Sequence, residues 1–373
     1  MPIYDCIVLG LGGIGSAALY YSAQRGWKTL GIDQFGISHA KGSSHGQTRV
    51  IRSAYFEHPN YVPLCQRAFF LWEEIQRAST QDLLTRCGLI QVGDPEGELV
   101  QGVLKSATEH QLEVEEWTAA QTMEKFPLLK LPAEHTTIYE RGAGFLRVER
   151  CVATLVKLAS ELGAEMLLNS PVGSWAMEDE GTIRVSAGEG EEFLTRRLIV
   201  SAGAWSEPLL GLSLGLKVIR KQQHWFQLDR IEQKLGNGFP CFLMEMGDRC
   251  FYGFPEIDYL GMKVAEHTGG TEVADPATID RTRDSGDTAA VESFLDDRFE
   301  FTRKRLVYDS VCMYTESPDQ HFIVDQHPQH PQVAFVAGLS GHGFKFAPVL
   351  GRHLVDRLEG KQDPLFDFLQ IRS

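Results

Sequence analysis

The run YDCIVLGLGGIGSAALYYSAQRGWKTLGIDQ, residues 4–34, decides the fold. An apolar segment over about 4–9 predicts a buried strand, and a tight glycine turn follows it. An amphipathic pattern over about 13–25 then predicts a helix, and a second apolar strand ends at Asp33. This is a βαβ unit. Gly10 permits the turn, Gly12 lets the backbone approach a pyrophosphate, and Gly15 lets the helix pack on the strand. Phosphates would sit at the positive end of the helix dipole, and Asp33 is placed to accept hydrogen bonds from an adenosine ribose. The motif itself leaves NAD and FAD equally open.

Two later stretches extend this picture. LTRRLIVSAGAW, residues 194–205, reads as a strand returning to the first sheet and breaking at Gly203 into a helix start. VAFVAGLSGHGFKFAPVLGRHLVDRL, residues 333–358, reads as strand, glycine turn (Gly338, Gly341, Gly343) and helix; its turn offers backbone N–H groups and a helix N-terminus to an electron-rich ring edge.

The whole chain sets limits on function. Its 373 residues, 43% hydrophobic and 23% charged, suit one large globular domain or two joined ones. A formal charge of -14 repels phosphate backbones and acidic membrane surfaces, which argues against nucleic acid as a partner. No apolar run approaches the roughly 20 residues of a membrane helix. MPIYDCIVLGLG enters a strand pattern by residue 3 with no basic segment ahead of it, and the terminal IRS is not an SKL-type address, so the cytoplasm is the expected location. Seven cysteines (Cys6, Cys65, Cys87, Cys151, Cys241, Cys250, Cys312), an odd number without a CxxC, argue against a disulfide framework and against a metal site. Six are expected to fill core singly; Cys312 lies among polar and aromatic residues and needs another account.

Together with the opening glycines, four further motifs resemble the monomeric sarcosine oxidase family, which includes N-methyltryptophan and pipecolate oxidases. They are GSSHGQTRVIR (42–52), YGFP (252–255), VCMYT (311–315) and GLSGHGFKFAPVLG (338–351), in the right order and spacing from end to end. The resemblance implies FAD rather than NAD, and a glutathione-reductase-like α/β fold. An FAD-binding domain (1–85, 145–215 and 316–373) is expected to interleave with a mixed-sheet substrate domain (86–144 and 216–315). It also implies that Cys312 is bonded through sulfur to the 8α-methyl of the flavin. Ser43 and Ser44 fall with the cofactor residues, His45 near the ring and Arg49 over the flavin face. Tyr252 and Tyr314 would border the pocket, with His267 further out.

Dehydrogenation of a secondary amine needs a grip on the substrate carboxylate, an uncharged amine, and a flavin face near the breaking C–H bond. In so acidic a chain, cations inside motifs carry information. The resemblance assigns Arg52 and Lys345 to the carboxylate, for which arginine's planar fork is suited, with Lys345 also among the cofactor-binding residues. Arg49 and Arg52 would share one side if their segment is helical. In GMKVAEH, strand alternation puts Gly261, Lys263, Ala265 and His267 on one face, with His267 about 13 Å from Lys263. The family counterpart of Lys263 lies beside flavin N5 and favours reaction with oxygen.

Ser44 departs from the histidine of sarcosine and N-methyltryptophan oxidases, and Phe251 from a tyrosine common just before YGFP. The expected reaction passes hydride from the carbon next to nitrogen to flavin, hydrolyses the imine, and reduces O2 to H2O2, in a monomer acting on a small amino acid. Alternatives are a cyclic imino acid oxidase, a flavin dehydrogenase with another acceptor, an NAD-dependent dehydrogenase, and a non-catalytic flavin-binding module.

Overall fold

The computed structural model describes residues 2–178 and 181–372. Its first layer is a six-stranded sheet ordered Glu165–Leu167, Thr29–Ile32, Cys6–Leu9, Leu198–Val200, His330–Ala337 and Ile323–His327. All neighbours are parallel except the last pair. Parallel strands covered on both faces need continuous apolar runs, and Cys6–Leu9, Thr29–Ile32 and Leu198–Val200 are buried throughout.

The helix after the first glycine turn is Gly13–Gln24, with ten of its twelve residues buried. The solvent face expected of an amphipathic helix is therefore absent. Helices Val148–Glu161 and Ala347–Leu358 pack on it, the latter so closely that a Cβ on Gly351 would lie 2.7 Å from that of Ala17.

The stretch 194–205 is also shorter in the first sheet than its pattern suggests. Only Leu198–Val200 enters it; Glu191–Thr195 pairs instead with Ile3–Tyr4 in a four-stranded sheet. The intervening Arg196 is exposed, and Arg197 stacks on Trp27 4.4 Å away, which breaks the run between the two sheets.

The second layer is a nine-stranded mixed sheet that includes Lys217–Leu228, Cys241–Met246, Arg249–Phe254 and Met262–Glu266. Lys217–Leu228 pairs along its length with Lys304–Glu316, placing Cys312 opposite Lys221. Strands of the two layers alternate along the chain, so the layers are interleaved. A three-stranded sheet of Thr48–Ile51, Gly144–Arg147 and Leu84–Arg86 completes the frame. Arg49 thus sits on a strand and Arg52 just beyond it; helical spacing does not bring them together. Among the described residues, no helix is long and apolar enough to cross a membrane.

Candidate active site

A long cavity of about 350 Å³ runs from the first glycine turn to the strand carrying Cys312. Gly10, Gly12, Asp33, Ser43, Ser44, Cys312, Gly338, Gly341 and Gly343 line it. Gly15 lies behind the turn, where a Cβ would come 1.7 Å from the Gly10 carbonyl oxygen. Gly10 has φ +85°, and a Cβ there would meet Ser201 O at 2.7 Å. Gly12 caps the helix with no side chain of its own, and Gly12, Gly13 and Ile14 at this helix start line the cavity. Ser44 Oγ accepts from Gly13 N at 3.0 Å. The Asp33 carboxylate accepts from Leu11 N (2.6 Å) and Phe35 N (2.8 Å) and remains on the cavity wall. A helix N-terminus built on glycines for a diphosphate and a carboxylate at the strand end for a ribose fit a dinucleotide in this cleft.

A smaller cavity of about 70 Å³ adjoins it, and Arg49, Tyr314, Gly341 and Phe344 wall both. Gly341 has φ +78°, and a Cβ there would lie 2.4 Å from the Tyr314 ring, so this junction requires glycine. Arg49 donates to Thr48 O (2.9 Å), Ser43 O (2.8 Å) and Cys312 Sγ (3.3 Å). Cys312 is buried, and its thiol faces Ser43 O at 3.6 Å.

Arg52, Lys345, Tyr252, His267 and Tyr314 line the smaller cavity. Arg52 is buried over the rings of Tyr55 (4.2 Å) and Phe56 (4.8 Å), and its Nη2 donates to both oxygens of Glu57 at 2.7 Å. Lys345 Nζ donates to His342 O (2.7 Å) and Tyr55 Oη (3.1 Å). Because His342 Nε2 contacts only a carbonyl acceptor, Gln320 O, at 3.1 Å, that nitrogen carries the proton; Nδ1 then accepts from Tyr55 O–H at 2.6 Å. Tyr55 is thereby oriented to accept from Lys345. Burial, with Arg52 as second cause, lowers the Lys345 pKa to about 8. Burial lowers that of His267 to about 3, so its ring is neutral at neutral pH and meets Tyr314 Oη at 3.3 Å.

Besides Gly15, two expected site residues line neither cavity. Lys263 is 1% exposed and donates to Gly46 O (2.5 Å) and Thr48 O (3.0 Å). His45 is also enclosed behind the wall; burial and then Arg49 lower its pKa to about 3, and its Nε2 has no partner. Strand alternation gives the face a side chain takes, and the partners it finds there, here two backbone carbonyls, are set by a distant segment.

Sequence reasoning missed Glu57, Tyr55 and His342. Glu57 and Tyr55 stand in SAYFEH directly after Arg52, and His342 lies inside the last glycine motif, so a search for partners of the two cations had local signals. It also missed Glu149, which accepts from Gly46 N (2.6 Å) and Gln47 N (3.1 Å) from a remote part of the chain.

The model of the family described as FAD dependent oxidoreductase matches residues 5–357. A monomeric sarcosine oxidase of Streptomyces avermitilis is 37% identical over 95% of this chain and 93% of its own. An N-methyl-L-tryptophan oxidase of Citrobacter koseri is 38% identical over 99% and 98%. In fold, the chain is similar to the open form of NikD, an unusual amino acid oxidase, with TM-score 0.88 at 18% identity, covering 100% of this chain and 98% of that one. With the family model matching nearly the whole chain and relatives 37% and 38% identical over almost its full length, the chain belongs to the FAD-dependent oxidoreductase family.

Proposed function

We propose that the protein oxidises a small N-methyl amino acid of the sarcosine type, using FAD held in the long cavity and oxygen as electron acceptor, with release of hydrogen peroxide. The carrying observation is the junction of the two cavities, where Arg49, Cys312, Tyr314 and Gly341 meet, with buried Arg52 and Lys345 on the smaller cavity. The names of the 37% and 38% identical relatives favour the same substrate class. Bound FAD supplies a two-electron acceptor for hydride from the carbon next to nitrogen. The first domain (1–85, 145–215 and 316–373) is assigned to FAD and the second (86–144 and 216–315) to substrate. A cytoplasmic monomer is the proposed working form.

Each residue then has a task. Gly10, Gly12, Asp33, Ser43 and Ser44 hold the nucleotide, Gly338, Gly341 and Gly343 the ring edge, and Cys312 the flavin covalently. Arg52 and Lys345 hold the substrate carboxylate, which competes with Glu57 for the arginine fork. Tyr252, Tyr314 and neutral His267 form an uncharged wall that admits an unprotonated amine. Arg49 spans the two cavities; Lys263 and His45 act from behind the wall. At about 70 Å³ the smaller cavity is well under the roughly 300–1,000 Å³ of sites for drug-sized ligands, which favours sarcosine over an indole-bearing substrate.

Sarcosine, pipecolate and N-methyltryptophan tested for peroxide release should give turnover in that order. Absence of peroxide with all three, when flavin is still reduced by one, would convert the reading to a dehydrogenase. Arg52→Ala should weaken acetate, as a carboxylate inhibitor, about ten- to a hundredfold, the loss of one charged hydrogen bond of roughly 1.5–3 kcal/mol; unchanged affinity removes Arg52 from the carboxylate site.

A pH titration isolates Lys345. Its ammonium form attracts a carboxylate and its neutral form does not, so acetate should bind well below, and progressively more weakly above, its pKa of about 8. Lys345→Met should abolish this step. Persistence of the step in the variant would assign it to another group.

A further inference from the structure

Among the described residues one pair of thiols is in contact. Cys87 Sγ and Cys241 Sγ lie 3.7 Å apart although 154 residues separate them. This corrects the expectation that every cysteine stands singly, and Cys87 is half-buried rather than core. Parallel pairing creates the contact: Cys241 begins a strand whose register sets it opposite Leu89, and its N donates to Gly88 O at 3.0 Å. The pair belongs to a cluster with Leu89, Val50, Tyr252 and Phe254, and those four also line the smaller cavity.

We propose that Cys87 and Cys241 form a peroxide-sensitive site that closes into a disulfide behind the wall of the small cavity. The oxidant is hydrogen peroxide, and only its source rests on the oxidase reading above. Access and chemistry give the two sulfurs different roles. Cys87 is half-buried, and the Cys241 thiol hydrogen-bonded to it lowers its pKa; Cys241 is fully buried, and burial raises its own.

The Cys87 thiolate attacks one peroxide oxygen, the O–O bond breaks, and hydroxide leaves and takes a proton to become water. The resulting sulfenic acid on Cys87 is attacked by Cys241 sulfur, which forms the S–S bond and expels the second oxygen as water. Two thiols lose two electrons and two protons, and one peroxide becomes two waters. The sulfurs must close from 3.7 Å to about 2.05 Å. Half-buried Cys87 lies outside the regular strands and can supply this movement. The bond would fasten Leu89–Gly93 to Cys241–Met246 beside the substrate cavity.

The test treats reduced holoenzyme with added hydrogen peroxide, quenches with catalase, alkylates, and maps peptides without reductant. The expected product is a Cys87–Cys241 cross-linked peptide, reversed by dithiothreitol and absent in Cys87→Ser. In Cys241→Ser a dimedone adduct should appear on Cys87, since the resolving thiol is gone. Sulfinic acid on Cys87 of the unsubstituted protein without cross-link, or no reaction at either thiol, would overturn the proposal. Because the peroxide is added, this result does not depend on turnover: a cross-link with added peroxide but none during incubation with sarcosine and air supports the thiol site and counts against the oxidase reading.

Discussion

Replacing Lys263 by methionine is expected to slow air reoxidation of the substrate-reduced holoenzyme by about a hundred- to a thousandfold, the usual effect of losing a preorganised charge-stabilising group. Reduction by substrate should change far less, because it moves hydride from a neutral amine. Lys263 is fixed before any reaction: Gly46 O and Thr48 O take two of its three protons, and its ammonium lies 5.1 Å from the Phe254 ring centre and 5.3 Å from that of Trp225. Burial, then Arg49, hold its pKa well below the ordinary lysine value. Only the protonated form stabilises negative charge arising on oxygen, so reoxidation should also slow as pH rises through that depressed pKa. Methionine keeps the stem's bulk and leaves two carbonyls without their donor, so thermal unfolding of the variant separates loss of structure from loss of charge. Stopped-flow traces in which both half-reactions fall equally, or reoxidation stays fast, would take Lys263 out of the oxygen step.

What the sequence made legible follows the range of the forces involved. The βαβ unit was readable because Gly10, Gly12, Gly15 and Asp33 act within one short stretch, and the buried strands around them are apolar without interruption. The burial of its helix was not, since Gly351 on a helix near the other end of the chain covers the face that would have been wet. The cations were legible as types, and their partners only as nearby candidates. Arg52 could be singled out by its motif, yet Glu57 in its fork depends on how the chain turns after Thr48–Ile51. Lys263 and His45 were assigned to the flavin's surroundings by their motifs, but the carbonyls of Gly46 and Thr48 that hold the Lys263 ammonium, on a segment fixed by Glu149, gave no signal in its own stretch. No local spacing announces the Cys87–Cys241 contact, which exists because two distant strands pair in parallel. Motif order therefore identified the chemistry, while depth and partnership came from tertiary pairing.

Cys312→Ser is expected to turn flavin that stays with the acid-precipitated chain into flavin that washes out. Cys312 is 1% exposed and lies on the wall of the long cavity, near its junction with the smaller one. It receives a hydrogen bond from Arg49 Nη2 at 3.3 Å, which holds the sulfur at the cavity wall. The thirteen-residue strand Lys304–Glu316 fixes the sulfur, since Cys312 is paired opposite Lys221 in the middle of a long ladder. Serine is nearly isosteric and leaves that ladder and the Arg49 contacts to Thr48 O and Ser43 O intact, so the variant should fold and still bind FAD without the bond. Mass spectrometry of the denatured chains should find the flavin adduct on the unsubstituted protein, on the peptide containing Cys312, and no adduct on the variant. Arg49→Met supplies a second reading, because removing the donor while keeping the sulfur should slow attachment to freshly added FAD without preventing it. An unsubstituted protein fully loaded with FAD yet unmodified in mass, or an adduct that survives Cys312→Ser, would show that the sulfur at this junction is not the tether.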